Sequence, residues 1–165
     1  MSRMPINLDK KGLKSIIMKY DLLFIDIWGV IHNGIDLFEK SIKCLNELDE
    51  LGKEYILLTN APRPNTTVIK FLKKLGLQDS KCKKVFTSGQ AALIYLNKYC
   101  LDLNFFHVGP PRDFDLFKLF ENKRVKDIKD SDFLLCTGLF EDHEDDLFYY
   151  KSLLKNEISK KMICT

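Results

Sequence analysis

The chain has 165 residues, which is enough for one ordinary domain or for one domain with a small companion. Hydrophobic residues make up 45% of the chain and aromatic residues 12%, which is enough for a packed core and excludes a disordered chain. The net charge is only +3 and the lysines are scattered, so the composition indicates a solvated surface and no nucleic-acid partner.

The cysteines and the amino-terminal segment indicate the cellular compartment of the protein. None of the five cysteines is arranged as CxxC, so we interpret them as free thiols in a reducing compartment, not as a disulfide framework or a zinc site. The amino-terminal segment has no apolar run of signal-peptide type, and no stretch is long enough to span a membrane. We therefore expect a cytoplasmic protein without a membrane partner.

Strand and helix patterns alternate along the chain. Apolar runs predict strands at 22–25, 55–58, 85–86, 105–108, 133–136 and 161–164, and the first of them reads as buried on both faces. Apolar residues at helical spacing predict helices from Phe38 to Gly52, from Pro64 to Gly76, from a Ser88 cap to Leu96, and from about Glu144 to Ile158. Repeated β–α units of this kind imply an α/β fold with a mostly parallel sheet.

Polar residues follow the first two predicted strands. Asp26 ends the first strand, and Thr59 and Asn60 end the second. Because parallel sheets collect their chemistry at the carboxyl ends of the strands, these residues form a candidate site. On spacing alone, a turn cap at Asp26 and a helix cap at Thr59 explain the pattern equally well. The dipeptide Asn33-Gly34 predicts a tight two-residue hairpin turn.

Five longer segments carry a family resemblance. The segments DIWGV, ILLTNAPRP, VFTSGQAALIYL, FFHVGPP and FLLCTGLFEDHE follow one another along the chain. In this order they resemble the haloacid dehalogenase superfamily, in the branch of p-nitrophenyl phosphatases and nucleotide phosphatases with a large α/β cap. The resemblance runs from about Tyr20 to Thr165. It implies the N-terminal part of a Rossmann-like core over residues 1–100, followed by part of the inserted cap over 101–165.

The resemblance implies a catalytic role for the residues at the two strand ends. Asp26 would be the nucleophile that forms an aspartyl-phosphate, while its other carboxylate oxygen binds Mg²⁺. The backbone carbonyl of Trp28 would be a further magnesium ligand. Thr59 would hydrogen-bond a transferring phosphoryl oxygen, and Asn60 would support the same pocket.

The turn after the first strand would correspond to the flap that opens and closes the site in this superfamily. Its residues in this sequence are Gly29, His32, Asn33 and Gly34. Gly29 permits the tight turn, and His32 is expected to be a solvated turn residue. His107, which lies in an apolar strand, is expected to be a satisfied core or interface histidine.

Trp28 departs from the superfamily pattern. Its phosphatases usually carry a second aspartate at this position, which protonates the leaving group and then activates water. An indole offers one N–H and no acceptor, so it cannot do either. Its ring either packs under the cap as a hydrophobic plug, which we favour, or stacks on the base or sugar of a substrate. The sequence therefore does not decide whether the chain is an enzyme.

The last residues, KKMICT, begin a strand at a point where superfamily members continue. The continuation carries the phosphate-binding lysine and the acidic pair of the magnesium site, so we expect a weak or absent Mg²⁺ site in a truncated chain. One function is a Mg²⁺-dependent hydrolase of small phosphorylated metabolites that needs the missing half or a partner chain. The alternative is a non-catalytic fragment that associates with itself, or with a complementing C-terminal chain, through its incomplete sheet.

A third reading is a receiver-like signalling domain phosphorylated on Asp26. Such domains share the positions of the aspartate and the threonine, but they have neither the flap nor the cap.

Overall fold

The structure is a computed structural model that describes Leu8 and residues 12–165. The chain divides into two compact units, Met1–Leu57 and Leu58–Thr165. This division is not the one between core and cap that the sequence predicts after residue 100, and that boundary stays a prediction.

Strands and helices alternate through the described residues. The strands are β1 Leu22–Asp26, β2 Glu54–Thr59, β3 Val85–Thr87, β4 Phe105–Val108, β5 Phe133–Cys136 and β6 Lys161–Cys164. The α-helices are α1 Glu39–Glu50, α2 Asn65–Lys74, α3 Asp79–Cys82, α4 Ser88–Tyr99 and α5 Leu147–Leu154. Among these residues, no helix combines the length and the apolar character that crossing a membrane requires.

The strands form two sheets of three strands each. The first has the order β1-β2-β3 and the second the order β4-β5-β6. In the second sheet all neighbours are parallel, with Phe105 aligned with Phe133 and Cys136 aligned with Cys164. The predicted α/β class is confirmed, and every predicted strand is present.

Aromatic side chains pack together around β4 in the second unit. Phe117 is fully buried and meets Phe105 edge-on, with 5.2 Å between the ring centroids. His107 lies in the same cluster, 4.8 Å from the Phe117 ring, and its Nε2 is 2.8 Å from Oγ1 of Thr137. Burial, together with the nearby charge of Arg124, lowers the pKa of His107 to about 4. The expectation of a satisfied core histidine is confirmed.

The prediction that β1 is buried on both faces is wrong. Its residues alternate between exposed and half-buried, and Phe24 is 67% exposed. In the order β1-β2-β3, β1 lies at an edge of the sheet. Within the described part of the first unit, the face that carries Leu22 and Phe24 stays open to solvent. A continuous apolar run does not distinguish a covered strand from one with an uncovered face.

Two helix starts differ from the sequence prediction because another residue caps the helix. Asp146 accepts a hydrogen bond from the N–H of Tyr149 at 2.9 Å, so α5 begins at Leu147 and not near Glu144. Thr87, and not Ser88, caps α4. In each case a side-chain oxygen satisfies an N–H group of the first helical turn, which fixes the starting residue.

Candidate functional site

Asp26 is exposed at the carboxyl end of β1, as its position in the sequence predicts. The next residue, Ile27, is buried, and its carbonyl accepts a hydrogen bond from the N–H of Ile31 at 2.8 Å. The chain therefore turns immediately after the acid. Within the part of the chain that the structure describes, the Asp26 carboxylate makes no hydrogen bond or ion pair, so its oxygens remain available.

His32 is buried, so the prediction of a solvated turn residue is wrong. Only 4% of its surface is exposed, and its Nδ1 accepts a hydrogen bond from the N–H of Gly34 at 2.9 Å. The indole of Trp28 meets the imidazole edge-on, with 5.2 Å between the ring centroids. Burial lowers the pKa of His32, which favours the neutral ring that this acceptor role requires. His32 therefore acts as a structural centre of the turn.

Trp28 lies on the surface above this turn and is not a buried plug. Its side chain is 64% exposed. A Cβ atom built on Gly34 would lie 2.9 Å from the indole Cη2, and the φ of Gly34 is +97°. The turn therefore requires glycine at position 34 both for its backbone conformation and for the approach of the indole.

The tight turn is placed one residue later than predicted. The N–H of Asn33 donates to the carbonyl of Asp36 at 3.2 Å. The Asn33 Oδ1 accepts from the N–H groups of Ile35 and Asp36, at 2.9 and 2.8 Å. Gly34 and Ile35 therefore occupy the centre of the turn. Asn33 starts the turn because its side chain can replace a backbone acceptor.

Thr59 is buried at the end of β2 in the second unit. Its Oγ1 accepts a hydrogen bond from the N–H of Ala61 at 3.2 Å. The hydroxyl proton is not used by this bond, so Thr59 can still donate to an oxygen of a ligand. Asn60 follows it and is exposed. The predicted helix-cap alternative for Thr59 does not hold, because α2 begins only at Asn65.

A buried hydroxyl fixes the loop that follows Thr59. Thr87 is fully buried, and its Oγ1 donates to the carbonyl of Arg63 at 2.5 Å while it accepts from the N–H of Gln90 at 2.9 Å. Sequence reasoning missed this anchor, although Thr87-x-x-Gln90 has the spacing of a capping box.

In this capping box, Asn65 of α2 lies between the two residues that would normally bond to each other. In a closed box the Gln90 side chain would bond to the N–H of Thr87. Here the Asn65 Oδ1 accepts from that N–H at 2.9 Å, and the Gln90 Oε1 accepts from the N–H of Asn65 at 3.3 Å. The first residues of α2 and α4 therefore satisfy each other's N–H groups, which fixes the end of the loop that leads into α2.

Gly89 allows this loop to approach α4 closely. A Cβ atom at Gly89 would lie 2.4 Å from the backbone nitrogen of Arg63 and 2.5 Å from its carbonyl oxygen. The backbone cannot move away without breaking the bond from Thr87. In sequence, Gly89 resembles an ordinary residue of a helix start, and only the fold reveals the contact.

Arg63 connects the same loop to the turn after β4. Its Nη2 donates to the carbonyl of Arg112 at 3.3 Å, and its Nε lies 3.9 Å from Oδ1 of the buried Asp113. Burial raises the pKa of Asp113, while Thr137 and Arg63 act in the opposite direction. Arg112 pairs with Glu141 at 2.9 Å.

The predicted site residues fall in different units. Asp26, Trp28, Gly29, His32, Asn33 and Gly34 belong to the first unit, in which Trp28, His32 and Gly34 contact one another. Thr59 and Asn60 belong to the second. In the described ranges, no three His, Cys, Asp or Glu side chains come together as a metal site. Mg²⁺ demands an octahedral oxygen shell, which one carboxylate and one carbonyl do not complete.

Known proteins resemble the chain in sequence and in fold. The family described as haloacid dehalogenase-like hydrolase matches residues 23–121. A solved haloacid dehalogenase-like hydrolase from Brucella suis 1330 is 28% identical with a TM-score of 0.74, over 92% of this chain and 56% of its own. The chain therefore spans about half the length of that protein. No match was found among curated proteins.

Two further solved structures share the fold at lower identity. A p-nitrophenyl phosphatase from Archaeoglobus fulgidus is 18% identical with a TM-score of 0.65, over 87% of this chain and 54% of its own. A glycerol phosphate phosphatase from Mycobacterium tuberculosis, solved with magnesium, is 20% identical with a TM-score of 0.59, over 86% and 43%. The matches confirm the resemblance that the five sequence segments indicate.

Gly89→Ala is expected to destabilise the second unit, because the new methyl group would overlap the Arg63 backbone. Overpacking of this kind typically costs about 1–3 kcal/mol of unfolding free energy. The matched control is Ala91→Gly at an exposed position of the same helix, which should cost only about 0.5–1 kcal/mol. Urea unfolding followed by circular dichroism measures both. A Gly89→Ala variant as stable as the parent would contradict the close approach.

Proposed function

Because this chain belongs to the haloacid dehalogenase-like hydrolase family, we propose that it provides the nucleophile of a phosphatase-like hydrolase of small phosphorylated metabolites. The observation that carries the proposal is the position of Asp26. It is an exposed carboxylate at the carboxyl end of β1, without a hydrogen bond or ion pair among the described residues, and it directly precedes a turn held by Trp28, His32 and Gly34.

In the proposed reaction an oxygen of Asp26 attacks phosphorus. A P–O bond to Asp26 forms as the bond to the leaving group breaks, which gives an aspartyl-phosphate that water then hydrolyses. The Thr59 hydroxyl would donate to a phosphoryl oxygen. In support, the hydroxyl only accepts in its bond with the Ala61 N–H, which leaves its proton available. Asn60 is exposed beside it.

The cofactor we propose is Mg²⁺, which neutralises developing charge on phosphoryl oxygens. From this chain, the Asp26 carboxylate and the Trp28 carbonyl would contribute to its shell. The remaining oxygen ligands would have to come from outside the described residues, so we expect the chain alone to bind Mg²⁺ weakly and to be inactive.

For the compartment we propose a reducing cytoplasm. The support is that Cys44, Cys82, Cys100, Cys136 and Cys164 are all free thiols. Disulfides persist mainly in oxidising compartments, so a chain with free thiols fits a reducing one.

The alternative function is that of a non-catalytic fragment that binds a second copy of itself. The specific observation in its favour is the exposed face of β1, where Leu22 and Phe24 are 46% and 67% exposed. An edge strand with an uncovered apolar face is a typical surface for association. The match to a hydrolase family favours a hydrolase over the receiver-like signalling domain.

Asp26→Asn is expected to abolish turnover and the trapping of an aspartyl-phosphate, because the amide is not a nucleophile. The assay is hydrolysis of p-nitrophenyl phosphate with millimolar Mg²⁺, in any assembly of this chain that turns over. The matched control is Asp21→Asn, at the opposite end of β1, which should keep the parental rate. Full activity of Asp26→Asn would exclude Asp26 as the nucleophile.

Trp28→Asp is expected to raise the rate in such an assembly, because it supplies a general acid–base group beside Asp26. A positioned group of this kind contributes about 10²- to 10⁴-fold. Trp28→Asn separates this effect from the loss of the indole, because asparagine has the size of aspartate but no carboxyl group. If Asp and Asn at this position give equal rates, another residue transfers the proton.

The purified chain is expected to self-associate through β1. Light scattering should give a mass above the 19.3 kDa of one chain, and Phe24→Lys should shift the chain toward the monomer. Leu119→Lys, at an exposed apolar residue of the second unit, serves as the control and should not change the mass. A monodisperse parental monomer would contradict the association, and Mg²⁺-dependent turnover by that monomer would show that the chain alone suffices for catalysis.

A further inference from the structure

Two cysteines are direct neighbours across the second sheet. Cys136 is the last residue of β5, and Cys164 is the last residue of β6. The parallel register aligns the two residues with each other, and the N–H of Thr165 donates to the carbonyl of Cys136 at 3.0 Å. Aligned residues of neighbouring strands point to the same face of a sheet, so both thiols lie on one side.

The spacing of neighbouring strands suits a disulfide. Adjacent strands lie about 4.7–4.9 Å apart. The Cα atoms of disulfide-bonded cysteines are usually about 4.4–6.8 Å apart, and the spacing of aligned residues on neighbouring strands meets this requirement. The Cys136 thiol donates a hydrogen bond to the Gly138 carbonyl at 3.6 Å, and burial together with the Cys164 thiol raises the pKa of Cys136.

Access to solvent distinguishes Cys164 from the other thiols. Cys164 is exposed and Cys136 is half-buried, whereas Cys82 and Cys100 are buried. A peroxide in solution therefore reaches Cys164 first, and the thiol beside it is in place to react next.

We propose that Cys136 and Cys164 are an oxidation site that forms a reversible disulfide with a peroxide as oxidant. The Cys164 thiolate attacks the peroxide oxygen, which gives a sulfenic acid and hydroxide. The Cys136 thiol then attacks the sulfenic sulfur, an S–S bond forms, and water leaves. Overall, two thiols lose two hydrogens and one hydrogen peroxide becomes two waters.

The disulfide would bind an edge strand to its neighbour. Among the described strands, in the order β4-β5-β6, β6 has a neighbour on one side only. Cys136 directly precedes Thr137, whose hydroxyl contacts His107. Oxidation therefore fixes β6 beside the polar contacts at the end of β5, and a thiol reductant releases it by exchange.

The test is peptide mapping of the folded full chain after treatment with hydrogen peroxide. Remaining thiols are alkylated, and the chain is digested with trypsin without reductant. Cleavage after lysine gives peptides 130–151 and 162–165, which carry Cys136 and Cys164. The expected product is these two peptides joined, with the summed mass less two hydrogens, and dithiothreitol should separate them.

Mixing labelled and unlabelled chains distinguishes a bond within one chain from a bond between two. If the joined peptides contain one peptide from each isotope, the proposed pairing within the sheet is wrong. In Cys136→Ser the Cys164 sulfenic acid should accumulate and react with dimedone, whereas Cys44→Ser should behave as the parent. Complete alkylation of Cys164 after peroxide treatment would also overturn the proposal.

Discussion

The buried hydroxyl of Thr87 is the interaction on which the geometry of the second unit depends. It donates to the Arg63 carbonyl and accepts from the Gln90 N–H, so one oxygen fixes the loop after β2 and the first turn of α4. A buried polar group that loses its partner costs about 1–3 kcal/mol. The close approach of Gly89 to Arg63 and the hydrogen bond from the Thr87 N–H to Asn65 both depend on this arrangement. Thr59 and Asn60 lie immediately before the loop that these contacts fix.

The positions of the strands were predictable from the sequence, but their burial was not. In β5, Leu134 and Leu135 are buried, and the apolar run gives the right strand. The same kind of run in β1 predicts the strand but not its exposure, because coverage is decided by residues distant in sequence. Helix starts were less predictable, since neighbouring polar residues such as Thr87 and Ser88 compete for the cap.

Of the candidate site, the strand-end positions of Asp26 and Thr59 could be predicted and their surroundings could not. His32 is buried, meets the Trp28 indole and accepts from the Gly34 N–H, none of which the prediction of a solvated turn residue anticipates. The turn shifted because the Asn33 side chain acts as an acceptor. These effects depend on side-chain geometry, which residue types and spacing do not specify.

The neutral state of His107 links the folding of the second unit to acidity. Its pKa is lowered from 6.5 to about 4, so the folded ring stays unprotonated where the unfolded ring takes up a proton. The stability that depends on this residue is complete above about pH 6.5 and is lost as the pH falls toward 4. Unfolding in mild acid therefore consumes a proton at this ring. The aromatic cluster around β4 is thus a proton-coupled element as well as an apolar core.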